Sequence, residues 1–223
     1  MTDERKSGIA LIAGSLGGIL TMAIHPTAAG SLTADQVGHL LLISGVAHSI
    51  AMVSVLLLFL GACGLTRSIG AADRLAFAAL VTFGFACVAV RVATAVSGFI
   101  VPAIMKHMVR DVPANARQWQ IVIDGIFQIN QAFSRIYSVA ASLAIILWSA
   151  SALRNGGFGR GVATYGWLIS ALIMVAIGVG HLRLDVHGMA VVLLAQTIWF
   201  IVVGYQLCSR TVTASADSSL RAT

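Results

Sequence analysis

Residues 119–153 read WQIVIDGIFQINQAFSRIYSVAASLAIILWSASAL, and the fold is decided by how this stretch is read. Its polar residues Asp124, Gln128, Gln131, Arg135, Ser138, Ser142 and Ser149 follow one another at steps of four, three, four, three, four and seven. That spacing keeps them on one face of an α-helix. The residues between are mostly Ile, Val, Phe, Ala and Leu. At 1.5 Å per residue the helix would run about 52 Å, well beyond a hydrocarbon core of about 30 Å. Polar groups facing lipid chains would lack hydrogen-bond partners. The stripe is therefore expected to look into protein or water.

The rest of the chain repeats the long apolar run. Of 223 residues 58% are hydrophobic and only 10% charged, with a mean hydropathy of +0.93. A water-soluble domain of this length needs more charge to cover its surface. Six runs are long enough to span a bilayer: 8–24, 37–65, 75–105, 119–153, 162–180 and 188–207. No run alternates with a period of two, which argues against a β-barrel. The reading is an all-α polytopic membrane protein, with a six-helix transmembrane domain over 1–210 and a disordered cytoplasmic tail over 211–223. The first run could also be the apolar core of a signal peptide cut near Ala28–Gly30. It is longer than usual for one, and Asp3 and Glu4 offset Arg5 and Lys6, so it is read as a true span.

Basic residues set the expected orientation. Arg5, Lys6, Arg67, Arg74, Arg154, Arg160, Arg210 and Arg221 lie on the side of the termini, against Lys106, Arg110, Arg117 and Arg183 on the other. Eight against four places both termini in the cytoplasm of a bacterial inner membrane. The net charge of +6 then reads as a topology signal and as contact with anionic lipid headgroups. No basic tract interleaved with aromatics suggests a nucleic acid. Cys63, Cys87 and Cys208 form no Cys-x-x-Cys pair and read as packing residues. Ala10, Gly14 and Gly18 in the first run offer a small-residue face for close helix approach, within the bundle or in a homodimer. Pro102 should free the carbonyl of Gly98 and bend the third helix.

Depth adds a second pattern. Counted at 1.5 Å per residue from each inner boundary, His25, His48, Arg91, Arg135, His181 and His187 all fall at about 24–30 Å. They form a cationic or potentially cationic layer in the outer third of the membrane. Side chains lean toward a helix's N-terminus, so Arg135 can snorkel outward while Arg91 leans toward the membrane centre. Arg91 is the costlier residue to place. The expected site is an outward-facing polar pocket that binds or moves a small anionic or amphipathic, lipid-like ligand. Arg91 and Arg135 would anchor it, and Gln128, Gln131, Asn130, Ser138 and Asp124 would complete the lining.

Three alternatives use the same residues differently. His48, His181, Asp185 and His187 are ligand types that zinc accepts, which would make a metal-dependent membrane hydrolase. His48 and His181 could instead be axial ligands of a b-type haem, with both arginines on the propionates. A non-catalytic membrane subunit would bury the stripe against a partner helix.

Two resemblances accompany these readings. Ser44-x-x-x-His48 resembles the Ser/His element of the alkaline ceramidase-type membrane hydrolases, which implies zinc chemistry. Those proteins have seven spans and a His-x-x-x-His pair on the last, where this chain has His181-x-x-x-Asp185 before its sixth. As a whole, the chain resembles a group of uncharacterised bacterial six-helix membrane proteins. That likeness rests on Leu153-Arg154-Asn155-Gly156-Gly157 leading into Tyr165-Gly166-Trp167-Leu168, on Arg91 within span three, and on the final Trp199…Gly204 helix. It implies the fold and no particular chemistry.

Overall fold

A computed structural model describes residues 2–25, 34–108, 111 and 115–220, and among these there is no strand. The helices are α1 (Asp3–Ala23), α2 (Ala34–Gly70), α3 (Arg74–Ala95), α4 (Val101–Met108), α5 (Ala116–Asn155), α6 (Arg160–Gly178) and α7 (Val186–Leu220). A π-helical turn at Val96–Ile100 joins α3 to α4 in one span. Six helices are thus long and apolar enough to cross a membrane. Polar caps open two of them. Thr2 accepts a hydrogen bond from the Arg5 amide, and Asp73 accepts one from the Ala76 amide. Each cap satisfies an otherwise orphaned N–H.

That π turn lies just before Pro102. Pro102 cannot donate to the carbonyl four residues back, and its ring presses on that carbonyl. The Val101 amide instead donates to Val96, five residues back. Such one-residue expansions are uncommon and relieve local crowding inside a helix.

Each span packs against its neighbours in sequence, and α7 closes back on α1. Close approach at this closure depends on glycine. A Cβ on Gly8 would strike the Gly204 carbonyl and lie 2.6 Å from the Cys208 sulfur. The core fills the ring with Leu11, Leu65, Phe83, Trp148, Trp199 and Phe200. A smaller cluster of Ile173, Ile177, Leu184 and Val192 joins α6 to α7 toward the other side.

Of the small residues of α1, Gly14 serves close packing within the bundle, since a Cβ on it would lie 2.7 Å from the Ser54 carbonyl of α2. Gly18 has open space around it and Ala10 is half-buried. The tail read as disordered from 211 continues α7 as far as Leu220. No Pro or Gly interrupts it, so backbone hydrogen bonds can propagate. The Ala28–Gly30 cleavage signal and residues 221–223 lie outside the described residues.

On the side of the termini a polar latch ties α3 to α5. Asp73 Oδ1 accepts from Ser151 Oγ at 2.6 Å and from the Ala76 amide at 2.8 Å, while Oδ2 accepts from Asn155 Nδ2 at 2.7 Å. Those donors, Ser151 foremost, hold the Asp73 carboxyl below its ordinary value of 3.8. A depressed carboxylate stabilises the fold above its unfolded pKa, and the contribution disappears as pH falls through the folded value. Asp73→Asn keeps the cap but loses the charge-assisted bonds. It should melt below wild type at pH 7, with the gap closing toward pH 3. A gap that persists unchanged at pH 3 would exclude this role for the carboxylate.

Candidate functional site

The polar stripe of the fourth span lies on α5, and the fold divides it. At the end far from the termini, Asp124, Gln128 and Arg135 are exposed and Asn130 is half-buried. Asp124 accepts from Gln120, and Gln131 donates to the Leu184 carbonyl at 3.0 Å. One turn deeper the residues are internal. Ser138 is fully buried, donates to the Ser134 carbonyl at 2.8 Å, and lies 3.6 Å from the Met189 sulfur. Tyr137 donates to Gln196 Oε1 at 3.1 Å, and Gln196 Nε2 donates to Ser142 Oγ at 3.1 Å. Gln196 is 1% exposed, so this chain of bonds joins α5 to α7 inside the bundle. It satisfies groups that would be costly to bury unpaired. The deeper half of the stripe therefore serves helix packing.

Tyr137 and Gln196 were absent from the sequence-derived site. Gln196, in the middle of the last apolar run, was the available signal, since an amide at that depth requires a partner. Its partners could not be read from spacing along one helix.

The histidines do not gather as a metal site. Among the described residues, no group of three or more His, Cys, Asp or Glu could hold a metal ion. His48 is 4% exposed, and its Nδ1 lies 2.7 Å from the Ser44 carbonyl oxygen. The ring it meets is that of His25, edge to face with centroids 5.1 Å apart. His181, Asp185 and His187 are exposed in or beside the α6–α7 connection. Asp185 Oδ1 accepts from the Gly188 amide at 2.9 Å and so caps the start of α7. The set His48, His181, Asp185, His187 is thus not assembled. His48 is spent instead on helix contact: it seats against Gly98 in the π turn, where no side chain would fit.

Arg91 stands apart from the stripe. It is exposed on α3 and closes one end of an open groove of about 510 Å³ between α2 and α3. From α2 the groove is lined by Leu56 and Phe59; from α3 by Val81, Gly84, Phe85, Cys87, Val88 and Arg91. Arg135, Gln128, Gln131, Asn130, Ser138 and Asp124 are not among its lining residues. Phe85 is 69% and Val88 62% exposed, which is the expected state of side chains facing lipid. Arg91 lies seventeen residues from the start of α3, hence about 26 Å along the axis from the side of the termini. A guanidinium there presents a planar fork of donors suited to a carboxylate or phosphate.

These features define an α-helical protein consistent with multi-pass membrane insertion, bearing a lateral apolar groove with one cation at its end. Compared with family models, curated proteins and solved structures, the chain matches none.

Proposed function

We propose that the protein resides in a bacterial inner membrane with both termini in the cytoplasm, and that it binds or moves a small anionic amphipathic molecule drawn from the lipid phase. One observation carries this reading: Arg91, on a lipid-facing surface, closes an otherwise apolar groove. A charge at the edge of hydrocarbon is costly without a counter-charge or hydrogen-bond partners. An anionic headgroup supplies both, and its chain fits the apolar wall. The distribution of Lys and Arg, eight against four across the membrane, supports the orientation. Arg91 is the anchor. Arg135, exposed on α5 and outside the groove, is free to snorkel to the interface.

Native mass spectrometry of the protein released from membranes in mild detergent tests this. Wild type should retain an anionic amphiphile. Arg91→Ala should lose it by about tenfold or more, the effect of one charge-assisted pair, and Arg135→Ala should retain it. Equal retention by wild type and Arg91→Ala would end the proposal.

A further inference from the structure

We infer that the occupant of the α2–α3 groove is a single-chain carboxylate, a long-chain fatty acid anion taken from the leaflet opposite the termini. This rests on the anionic-amphiphile reading above and narrows it to one chemical class.

Length gives the first argument. On α3 the lining runs from Val81 to Arg91, which is about 15 Å at 1.5 Å per residue. That is half of a hydrocarbon core of about 30 Å, the depth reached by a chain from one leaflet. Arg91 marks the end of the groove farther from the termini, so the head lies in the far leaflet and the tail points toward the midplane.

Head chemistry gives the second. Apart from Arg91, the only heteroatom-bearing side chain in the lining is the Cys87 thiol, and Cys87 is 7% exposed. A phosphoglycerol or phosphoserine head would bring hydroxyl, ammonium or further phosphate oxygens with nothing in the groove to meet them. A carboxylate asks only for the two parallel N–H donors of a guanidinium.

Gly84 makes the tail half of the site testable apart from the head. It leaves a bare stretch of α3 in the wall of the groove, and an added Cβ there would touch only Phe59 Cε2, at 3.6 Å. A large side chain at this position has room to enter the groove without pressing on a neighbouring backbone.

The experiment uses full-length protein in nanodiscs of dioleoylphosphatidylcholine, with tritiated palmitate as probe and dioleoylphosphatidylglycerol as the diacyl comparison. Folding of each variant is followed by its melting temperature. Wild type should bind palmitate saturably at one per chain. Gly84→Phe and Gly84→Leu should each weaken it by about tenfold or more, as should Arg91→Ala. Arg91→Lys, which keeps the charge but not the fork, should fall between. Palmitate binding that is absent, or unchanged in both folded Gly84 variants, overturns the fatty-acid assignment. If phosphatidylglycerol retention still depends on Arg91 in that case, the broader reading stands. If neither lipid depends on Arg91, the groove holds annular lipid only and both proposals fall.

Discussion

Trp148→Ala is expected to lower the stability of the bundle by about 3 kcal/mol or more. Trp148 is fully buried at the centre of the ring, edge-on to Phe83 at 5.5 Å and stacked with Trp199 at 6.1 Å. In a bilayer the separated helices are already in an apolar medium, so the transfer of a hydrophobic group out of water contributes little. What remains is the void, which costs about 24 cal/mol per Å³, and the loss of close contacts with aromatic neighbours. The Trp148 indole N–H also donates to Thr66 Oγ1 at 3.0 Å, joining α5 to α2. Trp199 offers a direct contrast. It is equally buried, but its indole N–H has no hydrogen-bond partner among the described residues. Replacing each Trp by Phe should therefore cost more at 148 than at 199, because only the first removes a bond. Unfolding titrations in mixed micelles would measure both. A Trp199→Phe loss equal to or larger than that of Trp148→Phe would show that the hydrogen bond to Thr66 is not the difference.

Gly98→Val should be the second large loss, about 1–3 kcal/mol. In the π turn the Gly98 backbone lies directly against His48, and a Cβ there would strike the His48 Cβ and Cγ. Those atoms sit next to the α2 backbone, so they cannot swing away as the tip of a flexible side chain would. Relief requires α2 and α3 to separate. Ser44, whose hydroxyl reaches toward the Ser97 carbonyl at 3.5 Å, would be pulled from the same contact. The comparison variant is Gly84→Val on the same span, whose Cβ meets only ordinary contact at 3.6 Å. Melting temperature and hydrogen exchange over 44–48 and 96–100 should both register the first change and barely the second. Indistinguishable melts for the two valine variants would mean that the Gly98 approach is not tight in the membrane.

The two sites differ in how much of them a linear reading could reach. The periodicity of 119–153 placed seven polar residues on one face of α5, but two environments lie along that face. Ser138 and Ser142 meet α7 and are consumed by packing, whereas Asp124, Gln128 and Arg135 emerge past its buried part. Periodicity along one helix is blind to where a neighbouring helix begins and ends. The histidines illustrate the same limit. His48 and His181 share a depth by counting, but depth leaves the angular position around each helix open, and the ring that faces His48 is His25. Arg91 was singled out by the cost of its charge. Its groove was not foreseen, since that depends on Leu56 and Phe59 of a helix running the other way.

By itself the sequence determined the number of spans, their approximate limits and the positions that cannot face lipid comfortably. These follow from hydropathy and helical period, which are properties of one segment in one solvent. Pro102 likewise determined a disturbance near Gly98, because a missing N–H acts locally. Only the tertiary structure decided which polar residues are satisfied internally and which remain for a ligand. That choice is made between helices, by hydrogen bonds such as Tyr137–Gln196–Ser142 and by close approaches such as Gly98–His48. Arg91 is left outside that network, on an exposed surface of α3.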